Sequence, residues 1–275
     1  MTKQLDRSRR AGIGLLALVL AACAGPSPGE GPKPASLSPL GVEGQLRLAE
    51  AALSGGDANS ALSLLQQAVA ANPNSLESRR ALADAYYAAG AYPEAEQAYR
   101  ELGVLEGGTT ASLLGLARTA LARGDLPVAI TRFEQARRAG PQNLQALNGL
   151  AVAYDLSGRH REAQALYTTI LSQDPTNRGA LNNLALSLVL SGEPRAAITR
   201  LSSLVYGPTV MPQARHNLAL ALGLVGDEEG ARSLLGRDLA RSAIEDNLAF
   251  YRLVRTAGGP APAGPAAASA SDRPS

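Results

Sequence analysis

The chain has 275 residues, a formal net charge of +2 and a single cysteine, Cys23, so an internal disulfide is excluded. Residues 1–22 hold four basic side chains and one acidic one, which leaves the rest of the chain with a net charge near −1. This balance provides no basic surface, and we expect no nucleic-acid partner.

The N-terminal stretch predicts an export signal. Residues 1–10 are basic, and an apolar run follows from Ala11 to Ala22. A span across a bilayer needs about 20 apolar residues, so this run is too short for one. A basic start followed by a short apolar run is typical of a secretory signal peptide, which we place at residues 1–22.

The end of this stretch, Leu20-Ala21-Ala22-Cys23, resembles the lipobox of bacterial lipoproteins. In that family the peptide is cut before the cysteine, and the cysteine is lipidated. The resemblance therefore predicts a lipid on Cys23, which would anchor the protein to a membrane. The alternative is an ordinary signal peptide with an incidental cysteine. The residue after the cysteine is Ala24 and not aspartate. By the same resemblance to bacterial lipoproteins, this favours a location on the periplasmic face of the outer membrane.

A flexible segment is predicted next. Residues 24–40 are rich in proline, glycine and serine, and they cannot bury enough apolar surface to fold. We therefore expect a lipidated flexible linker over residues 23–40, partly extended by its prolines.

Three columns of residues then recur every 34 positions through six units without an insertion. They are a Leu-Ala pair from Leu48-Ala49, a glycine from Gly56 and an alanine from Ala61. The period and the columns resemble the tetratricopeptide repeat (TPR), which has two antiparallel helices, A and B, per unit. The resemblance implies an all-α fold, a TPR solenoid in the form of a right-handed superhelix of helix pairs. An irregular helical bundle would not predict three unbroken columns.

Each column has a physical reason. The leucine lies on the inner stripe of helix A, and the alanine after it allows a close helix contact. The glycine ends helix A in a left-handed conformation. Helix B is then started by an aspartate cap or a first-turn proline, at Asp57, Asp125, Asp227, Pro93, Pro127 and Pro194. A small and then a bulky residue pack helix B on helix A, the bulky ones being Leu65, Tyr99, Phe133, Tyr167, Leu201 and Leu235.

The array, over residues 41–256, is predicted to end in a capping helix. Ala243–Val254 is amphipathic, and Leu248-Ala249 repeats the helix A pair four residues out of register. A stacked array needs such a helix to cover its last apolar face. Residues 257–275 are mostly proline, alanine, glycine and serine, and we expect them to be disordered.

No constellation of catalytic or metal-binding residues emerges, so we expect no enzyme, no metal and no cofactor. His160 and His216 lie in different repeats, whereas a zinc site needs three or four converging ligands. His160 falls in a turn, where we expect a solvated side chain. The adjacent acids Glu228 and Glu229 are interpreted as favourable charges at a helix start.

The remaining candidate is a groove lined by the helix A residues between the columns. Its early part is mostly charged and is lined by Glu50, Arg80, Asp84, Tyr87 and Arg118, whereas its later part is more apolar. A partner's apolar segment would lie in it, and four asparagines could hold the partner's backbone. Alternatively, the capping helix or a tight curl covers the groove, and Asn183 and Asn217 match a structural consensus asparagine. The predicted groove residues are Leu114, Arg118, Leu121, Asn148, Val152, Leu156, Asn182, Asn183, Leu186, Val189, Leu190, Asn217, Leu220 and Leu224.

A narrower resemblance covers roughly Leu181 to Val254. The segments LNNLALSLVLSGEPRAAITRL, RHNLALALGLVGDEEGARSLLGRDL and EDNLAFYRLV are similar to TadD-like lipoproteins of the tight adherence (Flp) pilus system, and Cys23 adds the anchor. The resemblance implies a non-enzymatic assembly factor whose partner is the pilus secretin or another assembly component. The alternative is a scaffold or pilotin of another envelope machine, such as a type IV pilus or an outer-membrane protein insertion system.

Overall fold

The structure is a computed structural model that describes residues 41–207 and 211–258. The predicted signal peptide, Cys23, the linker and the tail beyond residue 258 lie outside the described residues. Within the described part, thirteen α-helices and no strands are present. The all-α prediction is therefore confirmed.

The helices form six antiparallel pairs followed by one further helix. Odd-numbered helices α1 to α11 are the A helices, even-numbered helices are the B helices, and α13 is the C-terminal helix. Their bounds are α1 Val42–Ser54, α2 Ala58–Ala71, α3 Leu76–Ala88, α4 Tyr92–Glu106, α5 Thr110–Ala122, α6 Leu126–Ala139, α7 Leu144–Leu156, α8 His160–Gln173, α9 Arg178–Leu190, α10 Pro194–Tyr206, α11 Pro212–Val225, α12 Glu228–Leu235 and α13 Arg241–Ala257.

The pairs stack into a solenoid. Each helix packs on the next along the chain, and each A helix also contacts the following A helix. No comparable contact joins consecutive B helices among the described residues. The A helices are therefore closer together than the B helices, so the array curves with the A helices on its inner face. This is the face on which the predicted groove lies.

The local signals in the repeat act as predicted. All six column glycines, from Gly56 to Gly226, have φ values between 74° and 96°, which other residues rarely adopt. The Asp57, Asp125 and Asp227 side chains accept hydrogen bonds from backbone N–H groups in the first turn of α2, α6 and α12. Proline occupies the first turn of α4, α6 and α10. Chain-local chemistry therefore determines where helix A ends and helix B begins.

The alanine and bulky columns build the core. Every column alanine from Ala49 to Ala231 is buried, and so are the six bulky B-helix residues, from Leu65 to Leu235. One apolar cluster is continuous from α5 to α13, whereas the first two repeats contain two small separate clusters. The C-terminal two thirds of the array thus share one core.

One column prediction is wrong at its first member. Leu48 was expected on a buried inner stripe, but it is exposed, while Leu150, Leu184 and Leu218 are buried. Leu48 lies one turn from Ala52 rather than from a bulky residue, and no described helix precedes α1. The leucine therefore has too few neighbours to bury it.

The predicted capping helix is confirmed as α13, but only the first member of its predicted Leu248-Ala249 pair is buried. α13 packs on α11 and α12 and buries Ile244, Leu248, Tyr251 and Val254. The ring of Tyr251 lies against Gly223, where an added Cβ would come closer than the 3.0 Å minimum of real Cβ contacts. Ala249, predicted as the second member of a helix A pair, is exposed. No further helix follows in the described chain to pack against it.

Candidate peptide-binding groove

Helices α5 and α7 enclose a pocket of ≈ 300 Å³ on the A-helix side of the array. Five of the predicted groove residues line it, namely Leu114, Arg118, Leu121, Asn148 and Val152. Gln145, Gly149 and the ring of Phe133 from α6 complete the lining. The walls are mainly apolar, and the polar groups are one guanidinium and two carboxamides. A pocket of this kind fits an apolar side chain with a polar group beside it.

Gly149, which the sequence analysis missed, allows the aromatic floor of this pocket. A Cβ at position 149 would lie less than 3.0 Å from the buried ring of Phe133. Gly115, one repeat earlier, has the same relation to the ring of Tyr99. The signal was present in the sequence, because both glycines interrupt helix interiors 34 residues apart. A glycine that recurs at the same helix-interior position of two repeats indicates close approach of another group.

Arg118 is held in place at the mouth of the pocket. Its Nη2 donates hydrogen bonds to Asp84 Oδ1 at 2.9 Å and to the Tyr99 hydroxyl at 3.0 Å. The guanidinium also lies over the ring of Tyr87, 5.0 Å from its centroid. Three partners from α3 and α4 thus fix a cation that remains partly exposed.

The Tyr99 hydroxyl lies beneath this cation and donates a hydrogen bond to Asp84 Oδ1 at 2.5 Å. Burial, followed by this contact with the Asp84 carboxylate, raises the pKa of Tyr99 well above its usual value. The hydroxyl therefore stays protonated and remains a donor to Asp84. The Asp84–Tyr99–Arg118 group links repeats 2 and 3 beside the pocket.

The four predicted asparagines form a ladder along the inner face. Asn183 Nδ2 donates to Asn148 Oδ1 at 3.1 Å, and Asn182 Nδ2 donates to Asn183 Oδ1 at 3.3 Å. Asn217 Nδ2 donates to Asn182 Oδ1 at 2.9 Å. The ladder joins α7, α9 and α11, so these amides hold consecutive A helices together. Asn148 is the member that also faces the pocket.

Family comparisons agree with this architecture. One model described as tetratricopeptide repeat matches residues 114–178, and a second matches residues 45–105 and 156–206. Together these matches cover more than half of the chain. The chain belongs to the tetratricopeptide repeat family. TPR folds are protein–protein interaction folds, so the array has the architecture of a protein-binding module.

Solved TPR structures share the fold at low sequence identity. A TPR protein from Parabacteroides merdae is 14% identical, with a TM-score of 0.65 over 78% of this chain and 86% of its own. PilW, titled a widely conserved type IV pilus biogenesis factor, is 15% identical, with a TM-score of 0.64. PilF from Pseudomonas aeruginosa is also 15% identical, with a TM-score of 0.62. Both matches cover 76% of this chain and 96% of the other. No curated protein sequence matches the chain.

The fourteen predicted groove residues differ in exposure. Leu114, Asn182 and Val189 are buried, and Val189 is 1% exposed within the continuous core. Val189 is therefore a core residue rather than a groove surface. Leu156 and Arg118 are exposed. The remaining nine are half-buried, namely Leu121, Asn148, Val152, Asn183, Leu186, Leu190, Asn217, Leu220 and Leu224.

Two of these leucines line other pockets of the TPR array. Leu224 lines a pocket of ≈ 540 Å³ with residues 192–196, and Leu190 lines one of ≈ 470 Å³ with residues 158–162. Both pockets adjoin the turn between helices A and B of the preceding repeat. The pocket-lining members of the predicted set thus lie at two places, five of them in the α5–α7 pocket and two at the edge of the array. Leu186 and Leu220 line none of these three pockets.

The two histidines are in polar contacts within the fold. His160 was predicted to be a solvated turn residue, but it is half-buried at the start of α8, with Nδ1 2.9 Å from Asp155 Oδ1. The same oxygen of the half-buried Asp155 carboxylate accepts a hydrogen bond from the Ser187 hydroxyl at 2.6 Å. His216 Nε2 lies 3.3 Å from Asp238.

The described residues contain no group of three or more potential metal ligands. None of the described helices is long and apolar enough to cross a bilayer.

Proposed function

We propose that this TPR protein is a lipid-anchored assembly factor that binds a segment of another envelope protein on the inner face of its array. The α5–α7 pocket carries the proposal, because it combines apolar walls with a fixed cation on the face where the A helices converge. An apolar side chain of the partner would enter the pocket, and an adjacent polar or acidic group would meet Arg118.

The specific process we propose is assembly of a tight adherence (Flp) pilus. The resemblance of Leu181–Val254 to TadD-like lipoproteins and the lipobox at Cys23 support this assignment. The partner would be the pilus secretin or another assembly component, bound on the periplasmic side of the outer membrane. A lipid on Cys23 would keep the array near that membrane and raise its effective concentration toward a membrane-bound partner.

A second candidate is a biogenesis factor of a type IV pilus. The specific observation that favours it is the fold shared with PilW and PilF over 96% of each of those chains. A deletion strain separates the two candidates. Loss of Flp pili with normal type IV pili supports the first, and the reverse result supports the second.

The binding proposal is tested with Val152→Asp, which places a charge on the wall of the α5–α7 pocket. Val128→Asp is the matched control, because Val128 is an exposed valine on α6 that does not line this pocket. We expect purified Val152→Asp protein to lose capture of the secretin while retaining its helical circular dichroism. The control should capture the secretin normally. Equal capture by both folded variants would contradict the proposal.

The anchoring proposal is tested separately with Cys23→Ala. This variant should leave the membrane fraction, and pilus assembly should fail with it. A Cys23→Ala protein that stays membrane-bound after its signal peptide is removed would contradict the anchor.

A further inference from the structure

The turns at the two edges of the array differ in charge. Four described turns join one repeat to the next, at residues 72–75, 107–109, 140–143 and 174–177, and they contain one ionisable residue, Asp174. The six turns inside repeats contain six, namely Asp57, Arg123, Asp125, Arg159, Glu193 and Asp227. We call the four turns between repeats, together with the described helix ends on the same side of the array, the linker edge. The connection from α12 to α13 lies there too and adds Arg237 and Asp238, the latter 3.0 Å from Arg215.

Exposed apolar side chains concentrate at the linker edge. The described residues expose eight large hydrophobic side chains, and four of them lie there, namely Leu76, Val104, Leu105 and Tyr206. Val104 is 80% exposed and Tyr206 is 65% exposed. Both belong to the last turn of a B helix and occupy equivalent repeat positions, three repeats apart. Exposed apolar side chains gathered at one edge make that edge a candidate interaction surface.

The chain enters the array at the same edge. Helix α1 begins at Val42, which is equivalent to Leu76 at the start of α3. Only 18 residues, 23–40, separate the array from the predicted lipid on Cys23. If this segment is the flexible linker that the sequence predicts, it spans about 23 Å on average, and a chain of that length spans at most about 60 Å when fully extended. A lipid on Cys23 would therefore keep the linker edge close to the bilayer.

Two basic residues at this edge suit a phospholipid surface. Arg137 and Arg138 form the last turn of α6, and Arg138 occupies the repeat position equivalent to Val104 and Tyr206. Arginine beside apolar and aromatic side chains suits the boundary between anionic headgroups and acyl chains. The exposed side chains project from separate helix ends rather than from one groove, which favours a flat partner over a peptide.

We propose that the linker edge contacts the phospholipid surface, with Val104, Leu105 and Tyr206 entering the interface and Arg137 and Arg138 facing headgroups. The proposal rests on the anchoring part of the proposed function. It adds an orientation, because the opposite, charged edge would then face away from the bilayer. The inner face would remain accessible to a partner from the side.

A single introduced tryptophan tests this orientation, because the chain has no tryptophan of its own. The Val104→Trp protein is compared with a Val128→Trp protein. Val128 is exposed at the start of α6, on the side of the array opposite the linker edge. Each full-length, lipidated protein is reconstituted into vesicles that contain anionic phospholipid and brominated acyl chains. We expect the Val104→Trp protein to shift its emission to the blue and lose most of it to quenching. The Val128→Trp protein should keep both unchanged.

Three outcomes overturn the proposal. If neither tryptophan is quenched while the protein floats with the vesicles, the anchor holds and only the orientation fails. If both are quenched equally, the contact is not specific to the linker edge. If the lipidated protein does not float with the vesicles, the anchor itself fails. Adding Leu105→Asp to the Val104→Trp protein should restore emission, and unchanged quenching would also contradict the role of this edge.

Discussion

Gly149→Ala isolates the effect of the close approach that forms the pocket floor. Alanine favours a helix interior over glycine by about 1 kcal/mol, so propensity alone predicts a more stable protein. The added Cβ would however lie less than 3.0 Å from the ring of Phe133, which is buried and cannot simply move aside. Overpacking of this kind costs about 1–3 kcal/mol. We expect a net loss of up to about 2 kcal/mol in the free energy of unfolding.

The assay is urea unfolding followed by circular dichroism at 222 nm, a standard helical wavelength. Gly179→Ala is the control, because Gly179 lies in α9 and an added Cβ there would meet only an ordinary contact. The control should be as stable as the unmodified protein or slightly more stable. Trimming the ring with Phe133→Leu should reduce the penalty of Gly149→Ala. Gly149→Ala protein at least as stable as the control would refute the packing argument.

Three further predictions concern the stability of the array. Hydrogen bonds from the hydroxyl and backbone N–H of Ser60 lower the pKa of the Asp57 carboxyl below its usual value. The stabilisation that this helix cap provides is therefore fully present above the usual pKa, and it is lost as the pH falls through the lowered pKa. The difference in urea midpoint between the unmodified protein and Asp57→Ala should therefore shrink in acid, and a constant difference would contradict this. Ser187→Ala should cost about 1–2 kcal/mol, because the buried Ser187 hydroxyl donates to the half-buried Asp155 carboxylate; an unchanged urea midpoint would count against that bond. Amide hydrogen exchange should be faster in α1–α4 than in α7–α11, because the first repeats have only small separate clusters; uniform protection would refute this.

Features that depend on the local chain could be predicted from the sequence. Gly124 needs a left-handed conformation and Asp125 caps α6, and both effects act within a few residues. The alanine columns were also predictable, because a fixed repeat period brings the same small residue to every helix contact. Ala129 and Ala163 are fully buried for this reason.

Features that depend on neighbours in other repeats could not be predicted in the same way. Val189 and Leu190 are adjacent in the sequence, yet one joins the core and the other lines a pocket beside a turn. The hydrogen bond between Asn183 and Asn148 joins residues 35 positions apart and depends on how closely α7 and α9 approach. Predicting the pocket beside Asn148 would likewise have required the position of the Phe133 ring, which reaches the pocket past Gly149.

Photo-crosslinking in cells tests most directly whether this array acts by holding another polypeptide on its inner face. A photoreactive amino acid replaces Val152 on the wall of the α5–α7 pocket, or Val128 on α6 as a control. We predict that position 152 crosslinks to one envelope protein, the pilus secretin or another assembly component, and that position 128 does not. Absence of any protein crosslink at position 152, or the same crosslinks at both positions, would contradict the account.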